Sequence, residues 1–158
     1  MPINVNTLAY RRDLPHLRSR EKVYFVTFCT YRRTVLLPEA RDIALGTVAY
    51  EHTKTCWIDC AVVMPDHVHL QLQPYENVSL EAIVARIKSV SAHRINRAFG
   101  TRGHVWQHES FDYILRSCDG RQQKADYILE NPVRAGIVAR TDDYRWSWTP
   151  PGAAAPHR

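Results

Sequence analysis

Apolar positions along this chain alternate between strand-like and helix-like spacing. Residues 23–30, Val-Tyr-Phe-Val-Thr-Phe-Cys-Thr, are β-branched and aromatic without a breaker and predict a central strand. Tyr31-Arg32-Arg33 ends it in charge, and Pro38 suits a first helical turn. From Glu39 to about His52, Ala40, Ile43, Ala44, Val48 and Tyr50 then recur at helical intervals. Residues 57–64 predict a second strand that the turn pair Pro65-Asp66 folds back into a third, closed by residues 74–77. Ser79, with Glu81 in the first turn, caps a helix striped by Leu80, Ile83, Val84, Ile87, Val90 and Ser91 until Gly100. Residues 104–116 predict a fourth strand with an irregular lead-in at 108–110. Asp119 then caps a third helix, striped by Ala125, Ile128 and Leu129, that Pro132 stops after Asn131. The order strand, helix, strand, strand, helix, strand predicts an α+β fold. It is the ferredoxin-like βαββαβ sandwich, an antiparallel sheet with helices on one face and its other face available, here with an extra C-terminal helix.

The third strand carries the candidate chemistry. In Met64-Pro65-Asp66-His67-Val68-His69-Leu70-Gln71-Leu72, strand alternation puts His67, His69, Gln71 and Gln73 on one face and Val68, Leu70 and Leu72 on the other. Two imidazoles then point the same way over the open side of a sheet, a possible metal site. On the third helix, Tyr127 and Asn131 share a face turned about 100° from the buried stripe. An oxygen one turn from a tyrosine hydroxyl suits a divalent ion already held by two imidazoles, with Glu130 as the competing ligand.

Composition bounds the partners. At 158 residues, 45% hydrophobic and 23% charged, the chain suits one globular domain. A basic arm over 1–22 leads into a domain over 23–148, and a loose tail covers 149–158. Lys and Arg outnumber Asp and Glu by 21 to 16, a net +5 that permits a polyanionic partner. The arm gathers Tyr10, Arg11, Arg12, Arg18, Arg20 and Lys22, and either tracks a phosphate backbone or is a solvated lead-in. Arg86, Lys88, His93, Arg94, Arg97 and Arg102, with no acid among them, form a basic stripe on and just beyond the second helix that suits nucleic acid. Residues 134–148 read as a basic, tryptophan-bearing tail. Cys29, Cys56, Cys60 and Cys118 match no zinc or redox spacing and read as free thiols of a reducing cytosol. With no leader-like start and no long apolar window, a cytoplasmic, nucleoid-associated protein is expected.

Pro65-Asp66-His67-Val68-His69-Leu70, followed from position 127 by Tyr-Ile-Leu-Glu-Asn-Pro-Val-Arg-Ala-Gly, resembles the HUH-type single-strand DNA transposases. The resemblance is closer to their REP-associated tyrosine transposase subgroup, which the Tyr10-Arg11-Arg12 arm and Val105-Trp106-Gln107 also fit, and it covers most of residues 8–148. It implies His67 and His69 as paired metal ligands, Asn131 as the third, Mg²⁺ or Mn²⁺ as the metal and Tyr127 as the nucleophile. It also implies an arm at Tyr10 to Arg12 that reads bases beside a DNA hairpin, and a monomer in preference to a helix-exchanged homodimer. The expected reaction is cleavage and rejoining of single-stranded DNA through a 5′-phosphotyrosine. A free phenol titrates near 10, so such a tyrosine needs metal or basic help. The rival expectation is a non-catalytic nucleic-acid-binding module, which needs stacking aromatics such as Tyr24, Phe25 and Phe28 on the open sheet face.

Overall fold

The computed structural model describes residues 22–153. The arm residues Tyr10, Arg11 and Arg12 lie outside them. The chain folds as strand β1 (Val23–Cys29), helix α1 (Pro38–Glu51), strands β2 (Cys56–Val63) and β3 (His67–Pro74), helix α2 (Leu80–Phe99), strand β4 (Phe111–Leu115), helix α3 (Cys118–Arg134) and a short strand β5 (Ser147–Trp148). Among the described residues the strands pair antiparallel and the sheet order is β4-β1-β3-β2-β5, the ferredoxin-like order with one strand added beside β2. The histidine strand therefore lies at the centre.

One face of the sheet is the principal core. Val26 and Phe28 of β1 and Val68, Leu70 and Leu72 of β3 pack under Ala40, Ala44 and Val48 of α1 and Leu80, Ile83 and Ile87 of α2. Pro38 opens α1 as expected, but Tyr50 is 64% exposed, because Thr47, Val48 and Glu51 take the inward positions of the last turn. The Ser79 hydroxyl caps α2 by accepting from the Ala82 amide at 3.1 Å, and Gly100 closes it in the left-handed conformation with φ 63°. Val90 is exposed and Ile95 takes its place in the stripe. Ser91 on that stripe accepts from the Trp106 indole at 2.9 Å, which pins the segment leading into β4. The expected fourth strand is consequently split: Trp106 makes a lone bridge to Thr30, and regular pairing starts only at Phe111.

A bulge sets up the second face. Ile58 pairs with Leu72 and Cys60 with Gln71, so Asp59 is an extra residue in β2. That insertion lets Ile58 share the helix-side core with Ala61 and Val63 while Cys60, Val62 and Met64 turn to the other side. There they meet Ile128 of α3, which is fully buried, together with Phe25 and Tyr144. The face expected to be available is thus half covered. α1 and α2 lie on one side of the sheet and α3 packs on the other, against the sheet of its own chain.

α3 differs from expectation at both ends. Its N-cap is Ser117, whose hydroxyl accepts from Gly120 N–H at 2.9 Å, so the helix begins at Cys118 and Asp119 falls within its first turn. Pro132 does not stop it. The helix runs on to Arg134, since a proline so near the end forfeits only one backbone bond, and a Schellman closure follows. Gly136, with φ 72°, donates to Val133 O at 2.9 Å and Ile137 donates to Pro132 O at 3.0 Å. The tail beyond is ordered too. Tyr144 is buried and donates its hydroxyl to Val63 O at 2.7 Å, Val63 N–H donates to Trp146 O at 2.9 Å, and Arg145 pairs with Asp42 of α1 at 2.6 Å.

Truncating Ile128 to alanine removes a fully buried side chain by which α3 grips the sheet. We expect it to cost about 2–4 kcal/mol, read as a lowered urea midpoint in equilibrium unfolding.

Candidate metal and tyrosine site on the sheet

β3 alternates as expected: the His67 and His69 rings stand together on one face, centroids 4.6 Å apart and near perpendicular. Each is oriented through Nδ1. His67 Nδ1 lies 2.7 Å from Asp66 Oδ1, and a carboxylate there can only accept, so Nδ1 donates to it and Nε2 is the nitrogen left facing outward. His69 Nδ1 lies 2.6 Å from Thr27 Oγ1, its cross-strand neighbour, a hydroxyl that can accept from Nδ1 and so leave Nε2 free to ligate. Buried carboxylate or hydroxyl partners behind ligating imidazoles are the usual support of a metal site.

Asp66 is itself held. Arg33 donates Nε to its Oδ2 at 3.0 Å, while Arg32 and Arg33 sit at φ 53° and 55°, a conformation that arginine adopts only under constraint. Burial pushes the Asp66 carboxyl up, but the His67 hydrogen bond and the Arg33 charge outweigh it and hold the group below the usual carboxylate range. His69 is 9% exposed and stacks on Phe25 with ring centroids 5.4 Å apart. Desolvation first, then the His67 ring and the Lys124 and Arg134 charges, push it down to about 3, so it is neutral at physiological pH.

α3 brings the tyrosine over this face. Its N-terminal half is anchored by Arg121, which forms an ion pair with the bulged Asp59, and by Gln71 Nε2, which donates to Asp59 Oδ2 at 2.7 Å and to Arg121 O at 3.1 Å. From there Lys124, Tyr127, Asn131 and Arg134 follow at i, i+3, i+7 and i+10, one stripe of the helix. Lys124 Nζ sits 4.7 Å from the Phe25 ring centroid and 4.5 Å from that of Tyr127, while the Arg134 guanidinium lies 4.0 Å from the Tyr127 centroid. Tyr127 is 44% exposed, so its ring is reachable from solvent while being flanked by two cations. Asn131 is half buried on the same stripe. Glu130 is exposed and turned to Arg134, 3.4 Å from its Nη1. Among the described residues no group of three His, Cys, Asp or Glu side chains is placed to hold a metal. Two imidazole nitrogens, joined by a side-chain oxygen such as that of Asn131, would suit an octahedral ion such as Mg²⁺ or Mn²⁺ completed by phosphate and water.

The basic residues expected on α2 lie there, on the opposite side of the sheet from the histidines, and two of them are tied to other parts of the protein. Arg86 forks onto the buried Glu51 at 2.8 and 2.9 Å, and Lys88 donates to His108 O at 2.9 Å and Ser110 Oγ at 3.1 Å. Arg94, Arg97 and Arg102 remain exposed. The cations beside the histidines are instead Lys124 and Arg134, whose signal in the sequence is their spacing from Tyr127. Asp66 reads only as a turn residue in the sequence, and Thr27 only as a strand residue. Tyr24 and Phe28 face the helices and Phe25 lies beneath Lys124, so none of the three offers a stacking surface on the histidine side.

Residues 18–131 match the model of the family described as "Transposase IS200 like", and the chain belongs to that family. A Haemophilus influenzae protein named as a REP-associated tyrosine transposase is 27% identical over 153 residues, covering 87% of this chain and 83% of its own. Among solved structures, a REP-associated tyrosine transposase bound to a REP hairpin superposes with a TM-score of 0.64 at 23% identity, over 85% of this chain and 82% of that one, a likeness of fold. Among the described residues no helix is long and apolar enough to cross a membrane.

The neutral His69 gives the fold a pH signature. Below the ordinary value of 6.5 the unfolded chain takes up a proton that the folded chain refuses until about 3, so this stability is complete above about 6.5 and is lost as pH falls. With metal chelated, urea unfolding should show a loss of about 2 kcal/mol between about pH 7.5 and about pH 5 that is missing in His69→Phe.

Proposed function

We propose that this IS200-like transposase cleaves and rejoins single-stranded DNA at hairpin sequences of the REP type, through a covalent 5′-phosphotyrosine on Tyr127. The observation that supports this reading is that Lys124 and Arg134 of α3 flank the ring of a solvent-reachable tyrosine while their charges act on His69, one of two Nδ1-anchored imidazoles on β3. His67, His69 and Asn131 would hold a Mg²⁺ or Mn²⁺ ion. When bound, such an ion neutralises charge on the scissile phosphate and orients it for in-line attack.

The chain's own residues do the rest. Asp66 and Thr27 fix the imidazoles so that both present Nε2, which costs no reorganisation when a ligand arrives. Tyr127 Oη attacks phosphorus; the new Tyr–O–P bond forms as the P–O3′ bond breaks, the phenolic proton leaves to solvent and the departing 3′ oxygen takes one up. The positive charges of Lys124 and Arg134 beside the ring oppose the negative charge that gathers on the attacking and phosphoryl oxygens. A phosphodiester replaces a phosphodiester, so a 3′ hydroxyl can reverse the step and rejoin strands without a nucleotide cofactor. The hairpin preference rests on the similarity to the REP-associated relatives. The full set of groups lies within one chain, which supports action as a monomer.

The test is incubation of the protein with labelled single-stranded hairpin oligonucleotides and Mn²⁺ or Mg²⁺, followed by a denaturing gel. We expect a metal-dependent covalent adduct, mapped by mass spectrometry to Tyr127, absent in Tyr127→Phe and lost in His67→Ala and His69→Ala. Lys124→Ala and Arg134→Ala should slow adduct formation by about tenfold each, less than for a fully desolvated donor because both side chains reach solvent. DNA binding without an adduct over a broad oligonucleotide pool would favour the binding-module alternative.

A further inference from the structure

β4 is the outer strand next to β1, and α3 reaches it through Lys124 but leaves Phe111 in solvent. Its register places Phe111 opposite Thr27 and Tyr113 opposite Phe25, and Thr27 in turn pairs with His69. Phe111 and Tyr113 therefore stand on the histidine face, Phe111 in the same cross-strand row as His69. They are 61% and 36% exposed, whereas the alternate positions on β4 are Asp112 and Ile114, so the strand carries its aromatics on this face alone. A large aromatic pair left in solvent on an edge strand forgoes burial that could stabilise the fold. The two rings meet edge to face with centroids 5.8 Å apart. Lys124 Nζ lies 5.3 Å from the Tyr113 centroid and reaches Tyr127 as well, so one ammonium bridges the aromatic pair and the tyrosine.

We propose that Phe111 and Tyr113 form a stacking platform for two unpaired bases of a nucleic-acid strand whose phosphate lies at Tyr127. This inference rests on the reading of single-stranded DNA as substrate and adds the residues that grip the bases. Perpendicular rings offer two planes and not one continuous stack, which suits a splayed single strand and excludes a duplex, whose bases are closed to side-chain stacking. Lys124 supplies the charge complement for the backbone between the platform and Tyr127. Stacking is tolerant of base identity, so the platform holds the strand beside the site without reading its sequence.

The experiment reads binding apart from cleavage. In the Tyr127→Phe chain with EDTA, fluorescence anisotropy compares a short single strand of mixed sequence with an abasic strand of the same length. Adding Phe111→Ala and Tyr113→Ala together should weaken the mixed-sequence strand by about tenfold or more and leave the abasic strand within about twofold, while Phe111→Tyr with Tyr113→Phe keeps the parent affinity. Equal losses on both strands, or no loss on either, would overturn the platform. So would light scattering that shows a parent dimer dissociating in the double alanine variant with no base-dependent loss, since the face would then be a subunit contact. A parent that binds neither strand, and a wild type that yields no adduct with Mn²⁺, would sink the functional reading itself; an adduct with unaltered binding in the double variant sinks only the platform.

Discussion

Covering a polar sheet face with a helix is the constraint on which the rest of this molecule depends. His69, Gln71 and Gln73 on β3 are almost wholly removed from water, and such groups are tolerated only where partners replace the water they lose. The partners come from four elements. Thr27 of β1 meets His69, Asp66 of the hairpin turn meets His67, and the bulged Asp59 of β2 accepts from Gln71 while pairing with Arg121 of α3. The same network, which leaves Gln71 Oε1 buried without a partner among the described residues, also holds the imidazoles and seats the helix that bears Tyr127. Site geometry and fold stability are here one set of hydrogen bonds.

That sharing explains the division of labour between the two sides of the sheet. The α1 and α2 side is apolar and closed, and its two long cationic side chains near the core, Arg86 and Lys88, serve as ties to Glu51 and to the segment before β4. The α3 side is mixed. Ile128 and Tyr144 close it over β2, but towards β1 and β4 it opens, with Phe111 and Tyr113 exposed.

Much of this was legible along the chain, because period-two and period-3.6 patterns report directly on which residues share a face. The central strands, the Pro65-Asp66 hairpin, the Ser79 cap and Gly100 stop of α2, the paired imidazoles and the offset position of Tyr127 all follow from local spacing. What was not legible depends on contacts made far along the sequence. A single inserted residue at Asp59 leaves no mark in composition, yet it decides which half of β2 faces α3. β5 is two residues long and is held in place by the hydroxyl of Tyr144 and by the Arg145 pair with Asp42, partners more than eighty positions away. Arg86 and Lys88 read as surface charge because nothing local betrays Glu51 or the carbonyl of His108 as their partners. Pro132 reads as a terminus because a proline's cost is usually counted for a helix interior, whereas here the helix had only two more residues to run.

The sheet order carries a consequence for how the chain matures. β1 is made first but pairs with β3 and β4, and β2 receives its last partner only when residues 147–148 arrive. During synthesis the β2–β3 hairpin and the α1–α2 layer can assemble from the first hundred residues, with the polar face of β3 still wet. The imidazoles are thus in place well before Tyr127, which at about 5–20 residues per second follows His69 by roughly 3–12 s. A chain that has not yet reached α3 has both imidazoles and no Tyr127, so the histidine face and the tyrosine come together only once residues 118–134 have been made and packed on the sheet.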